Sequence, residues 1–302
     1  MTAMSSFYKT QKKNIAQTIF VSSIVLMVIA LTATTTSFVS VWAANLIGTS
    51  GPDTLEGTDE DDFIDGGGGD DTISDGFGSD EILGGRDDDT IELEGIGDSS
   101  TDTNNQDVAD GQRGEDNIVI DAENGFIVIH GGADDDTIRG IQGNGRIYGD
   151  SGNDKVITAG EAVFDVWGGS GNDEIDGQSE CLIPHAYGEA GNDIIIYAGR
   201  FASGGPGNDF IRFDDCRGVA YGDAGNDELR ASAEHPGELH GGSGNDNIIG
   251  ESNNDQLFGD SNNDILTGNE GADAFSCGSG VDTITDFNAA EGDTKTADCE
   301  NF

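Results

Sequence analysis

Evenly spaced aspartates are the residues whose types and spacing could do chemistry in this sequence. The stretch GGGGDDTIS DGFGSDEIL GGRDDDTIE, residues 66–92, consists of three nine-residue blocks with early glycines, an aspartate in the sixth place and an aliphatic residue in the eighth. Glycine readily adopts positive φ, which lets turn carbonyls point at one centre. Carboxylate and carbonyl oxygens are the ligands that Ca²⁺ prefers. The blocks therefore indicate repeated binding of a hard cation.

The aspartates keep one phase along most of the chain, and an aliphatic or aromatic residue follows each by two places. Steps of nine connect Asp53, Asp62, Asp71, Asp80 and Asp89, and a second run connects Asp246, Asp255, Asp264, Asp273 and Asp282. Between these runs the motif returns at steps of 16 to 20, at Asp116, Asp136, Asp154, Asp173, Asp193, Asp209 and Asp227. A fixed offset over so many units indicates a repeat architecture.

A period of nine that becomes a period near eighteen has a simple geometric explanation. One coil would be two nonapeptides, each a six-residue turn followed by a very short strand, so that stacked coils carry a column of turns along each edge. The terminal runs would carry the motif on both edges and the middle on one edge only. We therefore predict an all-β fold, a right-handed parallel β-roll or β-helix solenoid with coils of about 18 residues.

The composition supports a cation as partner and argues against several others. The 302 residues carry a formal net charge of −46, with 48 Gly and 34% hydrophobic residues, close to the composition of disordered chains. An ordinary globular core is not expected. Nucleic acid and anionic membrane surfaces would be repelled by this charge.

Residues 1–43 are basic and apolar, unlike the acidic remainder of the chain, and indicate an export signal. Lys9, Lys12 and Lys13 precede the apolar run IFVSSIVLMVIALTA, and Val41 and Ala43 suit a cleavage site. The alternative is an uncleaved membrane anchor, because the apolar character continues weakly to Ala44. Either interpretation places the remaining chain outside the cytoplasm, secreted or held at the cell surface.

The repeats resemble those of the haemolysin-type (RTX) calcium-binding nonapeptide proteins, whose consensus is G-G-x-G-x-D-x-U-x with U aliphatic. GGSGNDEID at 168–176 and GGSGNDNII at 241–249 match it in full, and the resemblance covers roughly residues 48–285. It implies calcium between the turns of neighbouring coils, held by sixth-place carboxylates and turn carbonyls. The implied metal ligands are Asp62, Asp71, Asp80, Asp89, Asp136, Asp154, Asp173, Asp193, Asp209, Asp227, Asp246, Asp255, Asp264, Asp273 and Asp282.

Stacking such carboxylates without metal would be unfavourable, because two charges one strand spacing apart repel by roughly 1 kcal/mol even in bulk water. We therefore expect several Ca²⁺ ions to be folding partners, with the metal-free chain largely unfolded. Each ion would bridge turns one coil apart: Asp53 with Asp71, Asp71 with Asp89, Asp62 with Asp80, Asp255 with Asp273, and Asp246, Asp264 and Asp282 in one column.

Four cysteines in an exported chain favour disulfides, for which three pairings are open. Cys277 with Cys299 would clip the tail over the last coil as a cap. Cys181 with Cys216 is the remaining pair, although about two coils separate them.

A second ladder consists of the residues just before the turns of the middle coils. These are His130, Tyr148, Trp167, Tyr187, Ser203, Tyr221 and His240, and strand alternation points them outward. The rings could bind an extracellular polysaccharide, or they could simply stack on one another to stabilise the sheet.

No catalytic motif accompanies the repeats, since neither H-E-x-x-H nor G-x-S-x-G occurs. His130 with Tyr148 on neighbouring coils is the one faint catalytic candidate. The sequence predicts a non-catalytic, calcium-loaded β-roll with a structural or adhesive role at a cell envelope or matrix. The alternative is a carbohydrate-active β-helix enzyme, such as a polysaccharide lyase or epimerase, or its accessory module.

The predicted organisation has five parts. They are the export segment 1–43, an N-terminal nonapeptide β-roll at 44–92, a degenerate repeat at 93–110, the continuing β-roll at 111–285 and a C-terminal cap at 286–302.

Overall fold

Short parallel strands make up nearly all regular structure in the described part of the chain. The computed structural model describes residues 43–94, 106–122, 126–178, 183–196, 198–214 and 216–301. The predicted export segment lies outside these residues except for Ala43. The strands form two sheets of 14 and 13 strands, the first containing every odd-numbered strand and the second every even-numbered one.

The odd sheet lines one side of the coil stack. Its strands are β1 (Asn45–Ile47), β3 (Phe63–Asp65), β5 (Glu81–Arg86), β7 (Gln106–Arg113), β9 (Phe126–Ala133), β11 (Asn144–Ser151), β13 (Val163–Ser170), β15 (Ile183–Ala190), β17 (Ala198–Pro206), β19 (Val219–Ala224), β21 (Glu238–Ser243), β23 (Gln256–Ser261), β25 (Ala274–Ser276) and β27 (Thr294–Lys295).

The even sheet lines the other side. Its strands are β2 (Thr54–Thr58), β4 (Thr72–Gly76), β6 (Thr90–Leu93), β8 (Asn117–Asp121), β10 (Thr137–Gln142), β12 (Lys155–Thr158), β14 (Glu174–Asp176), β16 (Ile194–Ile196), β18 (Phe210–Arg212), β20 (Glu228–Arg230), β22 (Asn247–Ile249), β24 (Ile265–Thr267) and β26 (Thr283–Ile284).

Each strand pairs in parallel with the strand one coil away, so repeat residues stack on their equivalents. Ile64 lies beside Ile82, and Ile73 lies beside Ile91. Glu81 pairs with Val108, a step of 27 residues, because the degenerate stretch lengthens one coil without breaking the sheet. The prediction of an all-β parallel solenoid built from repeats near 18 residues is confirmed.

The interior is a narrow apolar column between the two sheets. Repeat aliphatics such as Ile138, Ile175 and Leu229 are fully buried, and Phe164 and Phe213 fill wider places. Ala109, in the aliphatic place of the degenerate repeat, is also fully buried. Because each strand contributes only a few inward side chains, a chain with little apolar content can still form a continuous core.

The prediction of very short strands is wrong for the middle of the odd sheet. There the strands reach eight or nine residues and continue into the turn, as in β11 and β13, where Asp150 pairs with Gly169 and Ser151 with Ser170. The reason is that the first turn residues stay paired with their equivalents on the next coil, even where φ is positive, as at Asp150 and Gly169.

The C-terminal tail lies over the last coil. β27 pairs with β25, Thr283 forms a parallel bridge with Asn301, and a disulfide joins Cys277 to Cys299. This confirms the first predicted cysteine pair. Cys181 lies outside the described residues, so its pairing with Cys216 stays a prediction.

A membrane-spanning helix is not found among the residues that the structure describes. The anchor alternative for residues 1–43 falls outside them.

Candidate metal centre

Buried aspartates form two columns, one along each edge of the coil stack. Each aspartate except Asp107, which lies inside β7, directly precedes a strand, and its carboxylate lies between its own turn and the turn of the neighbouring coil. The column ahead of the even sheet contains Asp53, Asp71, Asp89, Asp116, Asp136, Asp154, Asp173, Asp193, Asp209, Asp227, Asp246, Asp264 and Asp282. The column ahead of the odd sheet contains Asp62, Asp80 and Asp107 near one end and Asp255 and Asp273 near the other.

One carboxylate oxygen of each column member except Asp53 accepts a backbone hydrogen bond from the coil before it. The backbone N–H of Asp154 donates to Oδ1 of Asp173 at 2.8 Å, and Asp173 donates in the same way to Asp193. Within the even-sheet column this bond repeats from Asp53 to Asp282. The carboxylates are therefore held in fixed orientation by backbone rather than by flexible side chains.

The second oxygen of nearly every column member is buried and has no hydrogen-bond partner. This is the state of Oδ2 in Asp71, Asp80, Asp89, Asp107, Asp116, Asp136, Asp154, Asp173, Asp193, Asp209, Asp227, Asp246, Asp255, Asp264, Asp273 and Asp282. A buried, unpartnered acceptor is costly, and a charged one more so. A native fold does not tolerate such a column unless something else neutralises it.

Turn glycines leave beside these oxygens a gap too narrow for a Cβ. A Cβ built on Gly149 would lie 2.5 Å from Oδ2 of Asp154 and 2.3 Å from the carbonyl oxygen of Gly168, one coil on. At Gly168 the equivalent distances are 2.4 Å to Asp173 Oδ2 and 2.8 Å to the Gly188 carbonyl oxygen. Carboxylate and carbonyl oxygens thus converge on the same gaps, which suits a hard cation with oxygen ligands.

Burial makes the charged form of these carboxylates unfavourable. Desolvation, opposed by the backbone hydrogen bond, raises the pKa of Asp80 to about 7 and of Asp136 to about 8. Neighbouring column members add repulsion, as Asp193 does for Asp173, whose pKa is raised to about 7. At neutral pH the columns need either protons or a cation.

Side chains alone do not assemble a metal centre in the described part of the chain. No group of three or more His, Cys, Asp or Glu side chains is placed to hold an ion there. Any cation in the columns would therefore take carbonyl oxygens together with one carboxylate from each of two coils, as the resemblance implies.

All fifteen aspartates predicted as metal ligands lie in the two columns, and the predicted neighbours stand one coil apart. Asp107 and Asp116 were not among the predicted ligands but occupy equivalent places. The signal was present for Asp116, which has Ile118 two places on. Asp107 lies on the nine-residue step, but Ala109 in the aliphatic place concealed it.

Sequence reasoning also missed an asparagine ladder on the exposed side of the even-sheet column. It consists of Asn153, Asn172, Asn192, Asn208, Asn226, Asn245 and Asn263, each just before a column aspartate. Each Nδ2 donates to the residue one coil earlier, beginning with Asn153 to Asp135 at 2.9 Å. The amides join the turns by neutral hydrogen bonds where adjacent acids would repel.

Eight outward rings on the odd sheet form what we call the aromatic ladder: His130, Tyr148, Trp167, Tyr187, Phe201, Tyr221, His240 and Phe258. Neighbouring ring centroids are 4.2 to 5.7 Å apart. Ser203 has no ring and would interrupt the ladder. Phe201, two residues earlier on the same face, supplies the ring between Tyr187 and Tyr221. The expectation that the rings stack on one another describes this geometry.

The proposed catalytic candidate is part of that ladder. His130 stacks on Tyr148 at 4.7 Å, and its Nδ1 lies 2.7 Å from Oδ2 of Asp150. The hydrogen bond to Asp150 raises the pKa of His130.

Comparison with known families finds matches to the RTX calcium-binding nonapeptide repeat at residues 47–74, 66–95, 128–158, 165–179, 238–266 and 249–284. A comparison with curated proteins finds no match. Among solved structures, the chain is similar to a hyperactive, Ca²⁺-dependent, β-helical antifreeze protein from an Antarctic bacterium. The two share 18% identity with a TM-score of 0.45, over 85% of this chain and 88% of that one.

Proposed function

From the RTX calcium-binding nonapeptide repeats that this chain carries, we propose that Ca²⁺ held in the two aspartate columns is required for its folding. The observation that carries the proposal is the buried, unpartnered Oδ2 atoms along both columns, which lie near carbonyl oxygens of the neighbouring turn. Bound Ca²⁺ would supply positive charge in place of water and protons. Asp62, Asp71, Asp80, Asp89 and the other predicted aspartates, with Asp107 and Asp116, are the proposed carboxylate ligands.

The experiment is a calcium titration of the full chain. In chelator near pH 7.5, the far-UV circular dichroism spectrum is expected to be that of a disordered chain. Addition of millimolar Ca²⁺ should convert it to a β-rich spectrum. Calorimetry and mass spectrometry of the calcium-loaded protein would count the ions. A folded spectrum in chelator, unchanged by Ca²⁺, would refute the proposal.

We further propose that the folded roll acts outside the cytoplasm, secreted or at the cell surface, in a structural or adhesive role. Two features support this location. The basic and apolar segment before Ala44 suits export, and weak oxygen-ligand sites suit extracellular calcium levels. Mass spectrometry of the exported protein would test it, since the expected N-terminus is Ala44.

We propose a non-catalytic role, and the enzyme alternative rests on one observation, the His130–Asp150 pair beside Tyr148. Tyr148 is stacked between two rings, so its face is not available to a substrate. Depolymerisation of an acidic polysaccharide by the calcium-loaded protein, lost in His130→Ala, would favour the enzyme. Calcium-dependent adhesion without turnover would favour the structural role.

A further inference from the structure

A row of acidic side chains runs beside the aromatic ladder on every second coil. Asp150, Glu189, Asp223 and Asp260 occupy the second place of their turns, and glycine occupies that place on the coils between them. Asp150 pairs with Gly169, which pairs with Glu189. The carboxylates are thus two strand spacings apart, roughly 10 Å.

These acids are kept in a backbone conformation that glycine adopts more easily. Their φ angles are 72° at Asp150, 71° at Glu189, 71° at Asp223 and 68° at Asp260. A side chain with such a φ costs on the order of 1 kcal/mol or more. Because the intervening coils use glycine, the turn itself does not require an acid at this place.

Three of the four acids lie beside a polar side chain of the coil before them. His130 contacts Asp150 at 2.7 Å, the Ser203 hydroxyl donates to Asp223, and His240 lies 3.6 Å from Asp260. Trp167 holds the equivalent place ahead of Glu189. Within the described residues the Glu189 side chain forms no hydrogen bond or ion pair, which leaves its solvent-exposed carboxylate unmatched at this one point of the pattern.

A groove of about 270 Å³ opens at that same point, lined by Tyr148, Asp150, Trp167, Ser170 and Glu189. Gly169 forms its floor, where a Cβ would collide with the carbonyl oxygen of Asp150 at 2.1 Å. This volume is just below the lower end of drug-sized pockets and suits a single sugar ring.

The lining combines apolar surface, from the rings and Ala190, with the polar side chains of Asp150, Ser170 and Glu189. Trp167 is stacked between Tyr148 at 4.7 Å and Tyr187 at 5.4 Å, so only ring edges face the groove. Glu189 offers an unmatched carboxylate, while Asp150 and the Ser170 hydroxyl offer hydrogen bonds.

We propose that this groove binds a protonated amino sugar, with its ammonium group on Glu189 and its hydroxyls on Asp150 and Ser170. The proposal rests on the calcium-loaded roll being the folded state, and it names the chemistry of the polysaccharide that the surface would hold: one with free amines.

The test uses Trp167 fluorescence in the full chain carrying Trp42→Phe, because Trp42 and Trp167 are the two tryptophans of the sequence. Glucosamine is titrated in millimolar Ca²⁺, with glucose, N-acetylglucosamine and n-butylamine as comparison ligands. Glucosamine should give saturable quenching, and the two uncharged sugars should bind at least about tenfold more weakly. N-butylamine should also bind more weakly, because it lacks the hydroxyls.

Glu189→Gln should weaken glucosamine binding at least about tenfold, and Glu189→Asp, which keeps the charge, should restore part of it. Asp223→Asn is the matched control at the same turn place and should leave binding unchanged. Equal binding of glucose, unchanged binding by Glu189→Gln, n-butylamine binding as tightly as glucosamine, or no quenching together with no calorimetric heat would each overturn the proposal.

The outcome is separable from that of the folding proposal. Circular dichroism of every variant in Ca²⁺ reports the fold independently of the groove. If the protein proves to fold without Ca²⁺, the same titration in chelator still measures the groove.

Discussion

The backbone N–H of Asp116 donates to Oδ1 of Asp136 at 2.8 Å, across twenty residues of chain, while Oδ2 of Asp136 is buried without a partner. One oxygen of the carboxylate belongs to the fold and the other is left for a cation. Most column positions repeat this division. It links calcium binding to the stacking of coils, because the donor and the carboxylate lie on different coils.

Asp136→Asn should have opposite effects with and without calcium. In chelator the substitution removes a carboxyl group that is costly to ionise, since burial raises the pKa of Asp136 to about 8. Any residual fold should therefore be stabilised. In millimolar Ca²⁺ it removes an anionic ligand, and we expect a loss of roughly 1–3 kcal/mol, a fall of several degrees in melting temperature.

Asp135→Asn is the control for that experiment. Asp135 is exposed and accepts from Asn153, and asparagine stands at its place on the following coils. It removes the same charge from the same turn and should change the melting temperature little under either condition. A similar loss in both variants would show that overall charge, rather than the buried oxygen, matters.

Acid should stabilise the metal-free protein. The folded pKa is about 7 at Asp209, about 7 at Asp227 and about 6 at Asp154, all raised by desolvation above the ordinary aspartate value of 3.8. The folded state therefore binds more protons, and this contribution is complete below about pH 4 and lost as pH rises through 6 to 8. In chelator, thermal unfolding should occur at higher temperature at pH 5 than at pH 8.

The same shifts predict competition between protons and calcium. Lowering the pH from 8 to 6 should raise the Ca²⁺ concentration at the folding midpoint, and Ca²⁺ addition near pH 7 should release protons measurable by pH-stat titration. A midpoint independent of pH would mean that the column carboxylates do not hold the metal.

Gly168→Ala should block one gap of the even-sheet column. The added Cβ would lie 2.4 Å from Oδ2 of Asp173, at a glycine outside the positive-φ region, so the effect comes from occupied space. We expect a loss of about 1–3 kcal/mol in Ca²⁺ and fewer bound ions by mass spectrometry. Gly51→Ala, where a Cβ would meet nothing within 4 Å, should be neutral.

Replacing Cys277 and Cys299 together by serine should loosen the C-terminal end first. Their disulfide closes a loop of 22 residues, which the chain-entropy estimate values at about 3 kcal/mol. Hydrogen exchange should show lost protection in β23 to β27 and little change in β9 to β13. Uniform loss along the solenoid would contradict a local capping role.

The parallel solenoid, its two edges and the identity of most column aspartates could be predicted from the sequence. The reason is that one offset, aspartate followed two places later by an aliphatic residue, recurs in phase and admits few backbone arrangements. Asp107 shows where that reasoning stops, because its repeat is degenerate in sequence and becomes recognisable only when β7 pairs with β5.

The sequence by itself thus determined which residues face inward, which edge carries each carboxylate and that a cation should be the partner, since these follow from short-range periodicity. Only the tertiary structure decided which atoms are satisfied. It assigned Oδ1 to the backbone of the preceding coil, placed Phe201 where Ser203 left a gap in the ring stack, and left Glu189 unmatched beside Trp167. The backbone-to-carboxylate bonds join residues 16 to 27 positions apart, and their partners depend on the length of each intervening coil, which no local pattern encodes.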